Sequence, residues 1–220
     1  MSTPAPAPPV PDRDCDLCPR LVAYREDHRA AQPDWHNAPV SSFGDIDARL
    51  LIVGLAPGLR GANRTGRPFT GDFAGDLLYA TLGEFGFARG VYGARTGDGL
   101  TLHDCRITNA VRCVPPQNQP KGAEITACRP FLTAEIAAMS RLRAILALGV
   151  VAHGAVLKAL GLRASACRFA HGAVHRLDDG RRLFDSYHCS RLNTNTGRLT
   201  PAMFADVFAG IRDELGEARA

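Results

Sequence analysis

The segment Ala48-Arg49-Leu50-Leu51-Ile52-Val53 runs straight into Gly54-Leu55-Ala56-Pro57-Gly58-Leu59-Arg60-Gly61-Ala62-Asn63-Arg64-Thr65-Gly66-Arg67-Pro68-Phe69-Thr70-Gly71-Asp72. An apolar run this short, ended by Gly and Pro, reads as a fully buried strand. The glycine-rich stretch therefore leaves the carboxyl end of a sheet, which is where open α/β folds bind ligands. Glycines so placed let backbone approach a flat or phosphate-bearing ligand closely. Taken alone, the same stretch also reads as a long surface connection, because a lone glycine motif is weak.

Further elements extend the pattern. Helical spacing covers residues 75–85, a second strand covers 106–111 and stops before Pro115-Pro116, and a helix follows from 123 to 139 with Ile125, Phe131, Leu132 and Ile136 on one side. A third strand spans 143–149 and a helix spans 150–160. The segments 173–177 and 182–187 flank Asp178-Asp179-Gly180, a hairpin signal. The last helix runs from Pro201 to Leu215 with Thr200 as N-cap. Strands separated by helices predict an α/β fold: a three-layer α/β/α sandwich around a mainly parallel sheet of about four strands. Residues 1–12, rich in Pro and Ala, read as a disordered tail with no signal-peptide character, and 13–220 as a single domain. The most apolar region, 144–161, is interrupted by His153 and Lys158, so no membrane span is expected.

The net charge of +4 is compatible with a nucleic-acid partner. Apart from Lys121 and Lys158 every basic residue is Arg, which favours bidentate phosphate contact. Seven cysteines, an odd number without a secretory signal, argue against a disulfide framework and for a reduced setting. Cys15-Asp16-Leu17-Cys18 brings two thiolates to one side of a tight turn. Cys113, at a strand end, and Cys128, in the next helix, are able to converge with them. Four thiolates suit zinc or a [4Fe-4S] cluster, and spacing does not separate the two. Cys105, Cys167 and Cys189 have no near partner and read as small buried hydrophobes.

These motifs together resemble the uracil-DNA glycosylase superfamily, specifically its iron-sulfur type-5 branch. The resemblance is carried by Cys15-Asp16-Leu17-Cys18-Pro19-Arg20-Leu21 with Tyr24-Arg25-Glu26, by Phe43-Gly44-Asp45, and by Gly54-Leu55-Ala56-Pro57 continuing to Asn63-Arg64-Thr65-Gly66-Arg67-Pro68-Phe69-Thr70-Gly71-Asp72. Thr108-Asn109-Ala110-Val111-Arg112-Cys113, Cys128-Arg129-Pro130-Phe131-Leu132 and the run from His188 to Thr200 complete it in family order, from about residue 15 to the last helix. Cys189 stands where the branch usually has Pro, which implies a less rigid loop.

The resemblance implies a monofunctional DNA glycosylase that flips uracil out of DNA and hydrolyses its N-glycosidic bond, leaving an abasic site, with hypoxanthine and other deaminated bases within reach. It implies Phe69 stacking on the base, with Gly54, Leu55 and Ala56 lining the pocket. Asn109 is expected at the pyrimidine edge, and His188 as donor to the developing anion. Ala56 stands where other branches carry a polar residue for the attacking water, so the chemistry leans on a dissociative transition state with Asn63 orienting the water. Leu192 aligns with the wedge that fills the vacated stack. Arg60, Arg64, Arg67, Ser190, Arg191, Asn193 and Arg198 are expected against the DNA. The ligands of a [4Fe-4S] cluster would be Cys15, Cys18, Cys113 and Cys128. The expected protein is a monomer acting on duplex or single-stranded DNA in a prokaryotic cytoplasm, associated with the nucleoid. The competing class is a noncatalytic iron-sulfur DNA-binding or redox-sensing protein on the same scaffold.

Overall fold

The structure, a computed structural model, describes residues 8–216. Four parallel strands, β1 (Leu50–Gly54), β4 (Cys105–Asn109), β5 (Ala144–Leu148) and β7 (Arg182–Ser186), form the sheet, with β6 (Val174–Arg176) antiparallel on the β7 edge. The order is β4-β1-β5-β7-β6, so the sheet has five strands where about four were expected. The extra strand is the first arm of the hairpin around Asp178-Asp179-Gly180, which joins the main sheet through β7. A separate two-stranded ribbon pairs β2 (Ala88–Arg89) with β3 (Thr101–Leu102).

Alternation along β1 decides the layers. Leu50 and Ile52 face α3 (Phe73–Glu84) and α7 (Pro201–Leu215), in a core with Leu78, Leu82, Phe204, Phe208 and Ile211. Leu51 and Val53 face α4 (Gly122–Ala138) and α5 (Val150–Ala159), in a second core with Leu132, Ile136, Ala152 and Val156. A smaller cluster seats α1 (Pro19–Ala31) through Leu21 against Val111 and Cys128. No helix among the described residues is long and apolar enough to cross a membrane.

The chain leaves β1 toward α3 on one face and leaves β4 toward α4 on the other. Adjacent strands whose exits diverge open a crevice at their carboxyl ends. The parallel register sets Gly54 opposite Asn109 at that point. Thr200 caps α7 by accepting from the Met203 N–H, and Asp72 caps α3 by accepting from the Gly75 N–H. Residues 1–7 of the expected tail lie outside the described residues. Of the rest, Pro11 packs against the cysteine-lined pocket.

Phe208 is wholly buried, with its ring against those of Phe85, Phe87 and Phe204. Phe208→Ala is expected to lower unfolding free energy by about 3–5 kcal/mol, read from the denaturant midpoint.

Candidate active site and cysteine pocket

A cavity of about 670 Å³ opens at the crevice, lined by Leu55, Ala56, Phe69, Asp72, Asn109 and His188 among others. Its floor depends on a missing side chain. A Cβ on Gly54 would sit 2.4 Å from Asn109 Oδ1 and 2.6 Å from Phe69 Cζ, so only glycine lets amide and ring meet there. The ladder continues past the strands, with Ala110 N–H donating to Gly54 O and Val111 N–H to Leu55 O. Asn109 is buried, and its Oδ1 has no hydrogen-bond partner. A buried acceptor left open carries a desolvation cost that a ligand's N–H would remove.

His188 lies two residues beyond the end of β7, its ring 6.0 Å from that of Phe69 at 29°. Burial holds its pKa below the ordinary value, so the neutral imidazole, with one N–H donor, is the form at pH 7. Asp72, an α3 cap whose catalytic potential the sequence reading left unassigned, also lines the cavity. Its Oδ2 would lie 2.3 Å from a Cβ on Gly61 and 2.9 Å from one on Gly58, so two glycines make room for it. Burial pushes its carboxyl above the ordinary value, and the Gly75 N–H only partly offsets that. A half-buried carboxylate with a raised pKa beside an open cavity has the character of a general base. Asn118, exposed at the mouth with φ 56°, was likewise unforeseen.

Two expectations are corrected. Asn63 is buried and donates from Nδ2 to Asn37 Oδ1 at 2.8 Å. It does not line the cavity, because the short helix α2 (Ala62–Thr65) turns it inward. Arg67 does not reach solvent to grip a phosphate. It is buried, paired through both terminal nitrogens with Asp98 at 2.8 and 2.7 Å, and packed on the rings of Phe43, Tyr79 and Tyr92. A guanidinium with a carboxylate fork and aromatic faces available gains more there than in water.

Three of the remaining candidates, Arg60, Ser190 and Arg191, line the cavity. Arg191 lies 5.3 Å above the Phe73 ring. Arg64 is exposed, and Arg198 stacks on Tyr187 at 4.5 Å. Ser190 caps α6 (Arg191–Asn195), and Asn193 Nδ2 donates to His188 O at 2.8 Å, which leaves Leu192 projecting, 73% exposed. Cys189 is buried and its Sγ–H donates to Ala74 O at 3.4 Å. That bond restrains the loop where a proline ring would otherwise have done so.

Cys15, Cys18, Cys113 and Cys128 line one small pocket with Leu21, Arg25, Val111 and Phe131. Burial pushes the Cys18 thiol up to about 11 and the Cys113 thiol to about 12, and neighbouring cysteines add to both shifts. The Arg112 N–H donates to Cys128 Sγ at 3.4 Å. Thiols that resist ionising alone, gathered in an apolar pocket, suit a bound cation that takes the protons' place. Among the described residues, the set of three metal-ligating side chains whose ligand atoms all lie within 4.8 Å is His153, His175 and Asp185. Both histidines hydrogen-bond to Asp185, His153 Nδ1 at 2.7 Å and His175 Nε2 at 3.1 Å, and His153 Nε2 donates to Cys167 O.

Gly54→Ala is expected to reduce any base-directed activity by about a hundredfold, read as turnover at saturating protein, since a displacement of this size at a reacting centre costs that much. Its thermal midpoint should fall far less than that of Phe208→Ala.

A protein-family profile described as the uracil DNA glycosylase superfamily matches residues 41–212. The chain is 48% identical over 199 residues to a type-5 uracil-DNA glycosylase of Thermus thermophilus, covering 88% of this chain and 90% of that one. A Mycobacterium leprae type-5 uracil-DNA glycosylase is 48% identical over 203 residues, 88% of each chain. One from Pyrobaculum aerophilum is 42% identical over 198 residues, 88% of this chain and 86% of the other.

Proposed function

From its membership of the uracil-DNA glycosylase superfamily, to which the chain belongs, we infer that this protein removes uracil from DNA by hydrolysing the N-glycosidic bond. The observation that carries the reading is the unpartnered Oδ1 of Asn109 in the cavity wall. An everted uracil offers N3–H to that oxygen, and its adjacent carbonyl accepts from the same amide's Nδ2–H. Hypoxanthine and xanthine carry the same N–H beside C=O at their N1 edge. Cytosine and adenine present a bare ring nitrogen there and leave Oδ1 unsatisfied. Thymine and guanine share the N–H beside C=O, so this edge separates uracil from cytosine and hypoxanthine from adenine, each deaminated base from its own parent.

Phe69 stacks on the base while Leu55 and Ala56 close the pocket around it. As the bond from the sugar to the base breaks, its electrons pass to the base, and the neutral His188 ring donates its N–H to the carbonyl on which charge builds. Water adds to the sugar carbon, and Asp72, facing a cavity in which Ala56 offers no polar atom, takes its proton. Arg60, Arg64, Arg191 and Arg198 hold phosphates, and Ser190 and Asn193 brace the loop that inserts Leu192 into the stack.

The cysteine pocket supports a [4Fe-4S] cluster on Cys15, Cys18, Cys113 and Cys128, since its four donors are all sulfur and most of its other lining is apolar. Held by these four cysteines, a cluster would cross-link the start of α1 to the segment that follows Asn109 and to α4. The purified protein is expected to be brown, and Cys113→Ser to lose visible absorbance and bound iron together with a lower unfolding temperature. A colourless protein carrying zinc would count against the cluster.

A duplex with one uracil opposite guanine, incubated with the protein and then treated with alkali, should break at that position. An intact strand under all salt conditions would refute the function. Asp72→Asn keeps a helix cap and removes the charge, so base release should fall by about a hundredfold or more with little change in stability. The carboxylate is the active form and its pKa is raised, so release by the unsubstituted protein declines as pH falls through that raised value. The variant lacks this contribution to the acid limb.

A further inference from the structure

Phe69 lies in left-handed backbone, φ 51°, a conformation that bulky side chains rarely adopt and that persists only where surroundings enforce it. Two tyrosines enforce it here. The Tyr79 hydroxyl donates to Pro68 O at 2.7 Å, and the Tyr92 hydroxyl donates to Phe69 O at 3.2 Å while accepting from the Gly71 N–H at 3.2 Å. The carbonyls on either side of the strained φ are thus each gripped by a phenol. The two phenol rings stack on each other at 4.6 Å and 27°. The Arg67 guanidinium lies 5.5 Å and 5.9 Å from their centroids, locked by Asp98. Room for this clamp is made at Gly75, where a Cβ would fall 1.9 Å from Phe69 O and 2.5 Å from the Tyr92 hydroxyl.

Tyr79 reaches the loop from α3, and Tyr92 from the β2–β3 connection, so separate parts of the fold converge on one residue. Neither tyrosine lines the base cavity. We propose that Tyr79 and Tyr92 are positioning residues for base capture, holding Phe69 in the one backbone state that sets its ring beside Asn109 and His188. This rests on the reading of the cavity as a base pocket. Released from the hydroxyls, the backbone relaxes toward negative φ and carries the ring off the floor made by Gly54. The aromatic face is then lost to the base although every pocket residue remains present.

The test uses the full-length, cluster-containing protein and Tyr92→Phe and Tyr79→Phe, each of which deletes one oxygen and keeps the ring. Affinity is measured for a duplex carrying 2′-fluoro-deoxyuridine, whose base is retained, and for one carrying a tetrahydrofuran abasic analogue, alongside single-turnover uracil release. Each variant is expected to lose about tenfold in release and in affinity for the uracil duplex, the size of one lost hydrogen bond, with abasic affinity unchanged. In a Phe69→Leu background the same substitutions should add nothing, because the ring they position is gone. Equal losses on both duplexes, unchanged release in both variants, or the same factor with and without Phe69 would each overturn the assignment while leaving uracil excision intact. Absence of uracil release by the unsubstituted protein would overturn both.

Discussion

Between β1 and β4 the sheet ends on a pair in which one partner has no side chain, and the site is built into that gap. Gly54 faces Asn109 in a parallel register fixed from Leu50 onward, so the amide's position is set by five paired residues. The ladder continuing through Ala110 and Val111 ties the exit of β4 to the loop after β1. A loop held only at its ends would let Asn109 Oδ1 find a backbone donor nearby. Here the neighbouring N–H groups are already spent on Gly54 O and Leu55 O, and the oxygen stays open.

The same strand exit binds the site to the sulfur pocket. Three residues separate Asn109 from Cys113, and among them Arg112 donates its N–H to Cys128 Sγ and its side chain to Glu135 and Ser42. Glu135 also accepts from Arg106 on β4. Burial alone pushes the Glu135 carboxyl up, but Arg112 and Arg106 outweigh it and hold it below the ordinary carboxylate range. A buried acid between two guanidiniums is costly to assemble and costly to break singly. Here it fixes the direction in which the chain leaves the sheet.

The layers were legible in the sequence because β1 and β5 are short apolar runs, β4 stops before Pro115-Pro116, β7 follows a hairpin turn, and α7 carries both its cap and its proline. The fifth strand was visible as a hairpin arm, and what escaped was its attachment to the main sheet, a long-range pairing that local pattern does not encode. Asn109, Phe69 and His188 were placed by motif and do converge on one cavity. Arg67 was misread because a basic residue in a glycine-rich loop looks solvated, and its partner Asp98 is 31 residues away. Asn63 was misread for a related reason, since Asn37 lies 26 residues upstream. Asp72 was inside a quoted motif, yet its position before a helix explains it as a cap, and only the cavity reveals a second use. Contacts of that kind depend on tertiary closure, and residue type gives no hint of them.

The loop after β7 has a mechanical consequence. Asn193 clasps the carbonyl of His188, Ser190 caps the turn that raises Leu192, and Cys189 anchors the base of the loop to α3. The protruding leucine and the imidazole are therefore two ends of one short lever pivoting near Ser190. Asn193 joins the two through the His188 carbonyl, so on the function proposed above a load on the leucine would be felt at the histidine.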